Sequence, residues 1–238
     1  MLNNKKILVT NDDGYFALGI LLLVKELYKY TKDIIIVSPK EQNSAVSQKL
    51  TLFNGLELNK ENSIYEDIPT YSVNGTPTDC VKMALVILDY HPDYIFSGIN
   101  QGVNLANDIL YSGTVAACFE AGLNHIKAVA VSVDYDSFEA SKYLSDAIEY
   151  ISNNEYLLSR SILNINLPHN PKGIKITHQG ENKYRTSYEV IDGKYYTRGH
   201  TPDNTRGQNQ DDNADVIAHE QGYISITPLT IDRTDKGK

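Results

Sequence analysis

Apolar residues in this chain recur in two alternating patterns, and the alternation predicts the fold. One pattern is a short unbroken run: Lys6 to Thr10, Asp33 to Ser38 with Ile34-Ile35-Ile36-Val37 at its centre, Tyr94 to Ser97, and Ala128 to Val133. Such Ile, Leu and Val stretches belong to strands buried on both faces, as in a parallel sheet. The other pattern is helical. Ile20, Leu23, Val24, Leu27 and Tyr28 share one face of a helix over Ile20 to Tyr30, and Ser137 to Asn153 reads as an amphipathic helix. A further helix opens at Thr76-Pro77-Thr78-Asp79, where proline suits the first turn and the carboxylate suits the helix dipole, and runs to about Leu88. Another starts near Ser112 and stops at Gly122. Strands alternating with helices predict an α/β fold, a mostly parallel sheet wrapped by helices.

After about residue 160 the pattern changes. Ile162 to Leu167 and Ile174 to His178 read as strands; Tyr184 to Val190, a turn at Asp192-Gly193, and Lys194 to Thr197 read as a hairpin. Gly199 to Asn213 is polar and reads as a loop, and Tyr223 to Thr227 alternates like a last strand. The expected organisation is therefore an α/β domain over 1–160 and a β-rich appendage over 161–238. Tyr184, Tyr188, Tyr195 and Tyr196 on a protruding hairpin suit an interface, where tyrosine is enriched; the chain's 17 tyrosines also make such a group unsurprising by frequency alone.

Composition narrows the function. No apolar run approaches the roughly 18 residues that span a bilayer, and the N-terminus lacks a signal-peptide pattern, so a cytoplasmic protein without membrane attachment is expected. Cys80 and Cys118 fall in predicted helices without metal-ligand spacing and read as buried packing residues. A net charge of −8 argues against nucleic acid as a partner. Small phosphate substrates stay open to such a chain if a divalent cation supplies the positive charge.

Candidate chemistry gathers at the ends of the predicted strands, where open α/β sheets bind ligands. The first strand stops at Thr10-Asn11-Asp12-Asp13-Gly14. Adjacent carboxylates repel unless a cation or proton intervenes; the same residue types also make ordinary turns. Ser44 follows the second strand and Asn100 the third. Each alone reads as a turn residue, but carboxylate, hydroxyl and amide oxygens together suit a hard cation, Mg²⁺ or Mn²⁺, and not zinc. Tyr111-Ser112-Gly113-Thr114-Val115 places small hydroxyl residues and glycine at a helix start, which is either a plain N-cap or an anion site. Gly98 and Gly102 let the preceding loop approach a ligand closely. They form neither the dinucleotide fingerprint nor a P-loop. None of the six histidines stands at a spacing that recruits it.

These motifs, in this order, resemble the SurE family of metal-dependent 5′-nucleotidases. The resemblance rests on Thr10 to Gly14, Ser38 to Ser47, Gly75-Thr76-Pro77-Thr78-Asp79-Cys80-Val81, Ser97 to Leu105, Tyr111 to Val115, and Gly222-Tyr223-Ile224-Ser225-Ile226-Thr227-Pro228-Leu229. It implies a Rossmann-like domain, a C-terminal part used in a homodimer or homotetramer, and hydrolysis of nucleoside 5′-monophosphates, with variable action on 3′-nucleotides and polyphosphate. It implies one divalent cation held by Asp12, Asp13, Ser44 and Asn100, and phosphate contacts from Ser112, Gly113 and Thr114. Asn100 also falls beside that phosphate site, and Asn11 is expected to orient the loop or the attacking water. The chain departs from the family pattern at Lys40-Glu41-Gln42, at Ala45 and Ala106, which replace common glycines, at Asn107, and at Tyr195-Tyr196, where Tyr-Trp is usual. Two other classes are compatible with parts of this pattern. A phosphoacceptor receiver domain needs an isolated Asp at a later strand end, where Ser97-Gly98-Ile99-Asn100 stands instead. A non-catalytic nucleotide-binding oligomer would bind phosphate without releasing it.

Overall fold

The computed structural model describes residues 2–159, 162–181, 185–200 and 210–234. Among these residues, eleven strands and five α-helices are arranged in the α/β manner expected. In chain order they are β1 (Ile7–Thr10), α1 (Leu18–Leu27), β2 (Ile34–Pro39), β3 (Leu58–Glu61), β4 (Thr70–Val73), α2 (Pro77–Val86), β5 (Tyr94–Gln101) and α3 (Gly113–Leu123). Then follow β6 (Lys127–Val133), α4 (Leu144–Asn153), β7 (Ile162–Leu167), β8 (Ile174–Ile176), β9 (Arg185–Ile191), β10 (Lys194–His200), α5 (Asp215–Glu220) and β11 (Ile224–Leu229).

Nine strands form one sheet in the order β3-β4-β2-β1-β5-β6-β7-β11-β8. The five central strands β4, β2, β1, β5 and β6 are parallel, as is β7, while β3 and β11 run antiparallel to β4 and β7. The sheet continues past residue 160 through β7, β8 and β11; among the described residues β9 and β10 pair only with each other. Alternate residues of each strand enter opposite cores. Ile7, Val9, Phe96, Val129 and Val131 pack with α1 and α4 residues such as Ile20, Leu23 and Ile148. Leu8, Ile95, Ala128 and Ala130 pack with Cys80, Val81, Val115 and Cys118 of α2 and α3. Burial on both faces is why these strands read as unbroken apolar runs.

Several elements differ from the sequence expectation. The β3 and β4 strands and the short α5 carry no strong periodicity and were not expected. The segment from Ser137 begins as a 3-10 turn over Phe138–Tyr143 and becomes α4 only at Leu144. The third expected strand runs on through Gln101, so the residues assigned to a glycine-rich loop begin inside the sheet. A register shift against β6 between Ser97 and Asn100 accommodates this extension. The hairpin forms over 185–191 and 194–200; Tyr184 and positions 201–209 of the expected polar loop lie outside the described residues.

One close approach fixes the helix over the site. A Cβ on Gly19 would stand 1.9 Å from the carbonyl oxygen of Ile99, so α1 sits on β5 only because residue 19 has no side chain.

Candidate functional site

The carboxyl ends of β1, β2 and β5 meet at one edge, with Thr10 in register with Ser97. The turn after β1 is built by Asn11. Its Oδ1 accepts the Gly14 N–H at 3.1 Å and the Ser38 hydroxyl, and its Nδ2 donates to the Gly14 carbonyl at 2.9 Å. Asn11 is fully buried, and every one of these bonds lies within the loop and β2. It shapes the turn that presents the two following carboxylates, a loop-orienting role.

Asp12 is only 6 % exposed. Its Oδ1 accepts the Thr114 hydroxyl at 2.5 Å, and its backbone carbonyl accepts the Asn43 N–H at 2.7 Å. A Cβ on Gly113 would lie 2.9 Å from the Asp12 Cβ, so glycine lets the start of α3 rest against this carboxylate. Burial pushes the Asp12 carboxyl up to about 6, opposed by the Thr114 bond and reinforced by the Asp13 charge. Asp13 is less buried and also raised by burial, against hydrogen bonds from the Gln42 side chain at 3.3 Å and the Gln101 backbone. Among the described residues neither carboxylate forms an ion pair with Lys, Arg or His. Among those residues their charge is offset by N–H and O–H dipoles alone.

Ser44 is exposed on the loop after β2, next to the Asn43 whose backbone holds Asp12. The Ser47 N–H donates to the Tyr111 carbonyl at 2.9 Å, so this loop spans from Asp12 to the start of α3. Ala45 and Ser47 adopt φ of 55° and 52°, the left-handed region that glycine enters at least cost. Farther on, Asp79 pins the same loop by accepting the Thr51 N–H at 3.1 Å and its hydroxyl at 2.7 Å. No local signal announces this tie, because the partners are 28 positions apart.

Asn100 is half-buried, and its Nδ2 donates to the Gly102 carbonyl at 2.7 Å, which leaves Oδ1 as the oxygen of that side chain for a ligand. Ser112 caps α3 by accepting the Val115 N–H at 3.1 Å, while its own N–H donates to Asp108 at 3.0 Å. The structure therefore brings Asp12, Gly113 and Thr114 into contact, ties Asp13 to Gln42 and Gln101, and sets Ser44 and Asn100 on the two flanking segments. Thr114 donates to the Asp12 carboxylate, a partnership the sequence motif did not reveal. Among the described residues four histidines face carboxylates elsewhere: His219 with Asp134, His178 with Asp211, His169 with Glu139 and His91 with Asp89.

A buried carboxylate beside a second one, at the dipole-positive start of an eleven-residue helix, is an electrostatic arrangement for a cation and an anion together. The donor set is oxygen only. Among the described residues no group of three or more His, Cys, Asp or Glu gathers as a metal cluster, so a cation here would draw on the hydroxyl and amide oxygens as well. Among the same residues, no helix is long and apolar enough to cross a membrane.

Residues 7–186 match the family model described as "Survival protein SurE". The chain is 37 % identical over 239 residues to the 5′-nucleotidase SurE of Clostridium beijerinckii, covering 96 % of this chain and 94 % of that protein. It is 39 % identical over 248 residues to the 5′-nucleotidase SurE of Natranaerobius thermophilus, covering 97 % and 94 %. The crystal structure of the SurE protein from Aquifex aeolicus superposes with a TM-score of 0.79 at 33 % identity, covering 97 % of this chain and 95 % of that one.

Proposed function

The chain belongs to the SurE family, and from that premise we propose that it is a phosphomonoesterase hydrolysing nucleoside 5′-monophosphates to nucleoside and phosphate with a divalent cation, Mg²⁺ or Mn²⁺. The observation that carries this reading is the buried Asp12 carboxylate, set against Asp13 and the first turn of α3 with, among the described residues, no basic side chain paired to balance it. Such a pair is costly without a counter-ion, and its hard oxygen donors fit these two metals.

Asp12, Asp13, Ser44 and Asn100 would hold the cation. When bound, it supplies positive charge for the phosphate oxygens and acidifies water. Ser112, Gly113 and Thr114 turn the positive end of α3 toward the same place and favour the charge that builds on the phosphoryl oxygens. Thr114 keeps the Asp12 carboxylate oriented, and Asn11 holds the turn that carries it. Of the two carboxylates, Asp13 is the more accessible to water, since it is less buried and its side-chain donor Gln42 is distant at 3.3 Å. A polar cavity of about 480 Å³ lined by Lys40, Gln42, Asn43, Lys49 and Asn74 adjoins the Ser44 loop and offers hydrogen-bonding groups to the nucleoside.

In this reading residues 1–160 are the catalytic domain and 161–238 serve assembly into a homodimer or homotetramer. Supporting the second part, Tyr188, Val190, Tyr195 and Tyr196 are exposed on the β9–β10 hairpin. The test is phosphate release from nucleoside 5′- and 3′-monophosphates and short polyphosphate in Mg²⁺, in Mn²⁺ and in EDTA. Metal-dependent release favouring 5′-monophosphates is expected. Binding without release would favour a regulatory nucleotide-binding oligomer, and release unaffected by EDTA would refute the cation site.

A further inference from the structure

Asp215 is completely buried, forms no ion pair among the described residues, and has no part in the chemistry above. Its carboxylate instead gathers backbone N–H groups from three places in the chain. Oδ2 accepts from Ala106 at 3.0 Å, and Oδ1 accepts from Gly180 at 2.9 Å and from Val216 at 2.7 Å. A buried carboxylate without a cation is costly, so a loop held by one is held at some expense to stability.

That loop leads back to the candidate site. Ala106 stands at φ 50°, and its carbonyl accepts the Gln179 Nε2 at 2.9 Å. Two residues earlier, the Asn104 N–H donates to Asn166 Oδ1 at 2.8 Å, and its carbonyl accepts Asn164 Nδ2 at 2.7 Å. Gly102, where the loop leaves β5, supplies the carbonyl that fixes the Asn100 amide. Residues beyond 160 thus grip the 102–106 loop, and the loop orients a side chain among the candidate cation donors.

We infer that Asp215 is a positioning residue: by holding Ala106 it fixes the 102–106 loop and, through the Gly102 carbonyl, the direction of Asn100 Oδ1. The inference rests on the proposed function in taking Asn100 as a cation donor.

Asp215→Asn tests it selectively. The new amide keeps Oδ1 for Gly180 and Val216 but turns a second donor on the Ala106 N–H, so one bond is lost and two are kept. Gln179→Ala releases the same residue from its carbonyl side by changing an exposed side chain. Mn²⁺ binding is measured by titration calorimetry on the whole chain, with circular dichroism for folding and KM and kcat for a 5′-monophosphate. Removing a group that orients a metal ligand typically costs about 10-fold or more in affinity. We expect Asp215→Asn to weaken Mn²⁺ binding by about that factor and Gln179→Ala to weaken it less, with both chains folded. Wild-type Mn²⁺ affinity in both variants would overturn the positioning role, whatever their thermal stability. If Asp215→Asn fails to fold, Gln179→Ala decides alone. A wild-type chain that neither binds Mn²⁺ nor releases phosphate would refute the proposed function itself; variants matching an active, Mn²⁺-binding wild type refute only the role of Asp215.

Discussion

Replacing Asp12 by Asn should stabilise the metal-free protein while abolishing its activity, and the gain should grow with pH. The folded chain keeps a proton on Asp12 up to about pH 6, whereas the unfolded chain releases it at the ordinary value of 3.8. Between these values the folded state binds more protons, so stability falls as pH rises and levels off above the folded value. This is the reverse of a salt-bridged carboxylate. About two pKa units at 1.36 kcal/mol each give a penalty of about 3 kcal/mol, to order of magnitude. Asn carries no charge, and its Oδ1 still accepts the Thr114 hydroxyl. Urea unfolding followed by circular dichroism in EDTA should therefore give closely similar stabilities near about pH 4 and an advantage to Asp12→Asn of up to about 3 kcal/mol near about pH 8. Mn²⁺ at about 100 times its dissociation constant adds about 2.7 kcal/mol to the wild type and much less to the variant, closing the gap. A gap that does not change with pH, or a variant less stable at the alkaline end, would refute the electrostatic account of the site.

Gly19→Ala should cost about 3 kcal/mol or more, above the usual range for overpacking, because the obstacle 1.9 Å away is the Ile99 carbonyl of a central strand; at about 2–4 °C per kcal/mol for a chain of this size, a wild-type melting temperature would contradict the close approach. Ala45→Gly should stabilise by about 0.5–1 kcal/mol, since relief of the left-handed strain at φ 55° exceeds the entropy that glycine loses; chemical denaturation measures it, and a loss would show that the strain is absent. Cys80 and Cys118 are fully buried and burial pushes both thiols up, so a thiol reagent near neutral pH should label neither until denaturant is added. Fast labelling of the native chain would contradict this packing.

Continuous apolar runs made β1, β2, β5 and β6 legible, because strands buried on both faces leave little polar interruption, while β7 was read as a strand despite the buried Asn164 and Asn166. The edge escaped for the opposite reason. β3 reads Leu-Asn-Lys-Glu, with the polar surface expected of a solvent-facing edge strand, and α5 has six residues, too few to show a period. At the site, the Asn11-Asp12-Asp13-Gly14 and Ser112-Gly113-Thr114 motifs stood out separately. Their junction could not be read, since the Thr114 bond to Asp12 spans 102 positions and exists only once β1 and α3 are folded together. Asn11 was legible as a turn former, and the structure gives it bonds to Gly14 and Ser38 of the kind Asn commonly makes at turns. Two departures from the family pattern acquire a physical meaning in the fold: Ala45 and Ala106 both occupy left-handed backbone.

The strand order carries a consequence for biosynthesis. β11 follows β7, β8 and the hairpin in the chain, yet it is inserted between β7 and β8 in the sheet. On a ribosome delivering the N-terminus first, β7 therefore presents an open edge, and β8 has no neighbour, until the last strand emerges. Unpaired strand edges are templates for association with other chains. A message truncated before Ile224 would yield a polypeptide with the candidate-site motifs complete and the sheet unfinished, so nascent chains of this protein should need protection from aggregation until β11 has been made.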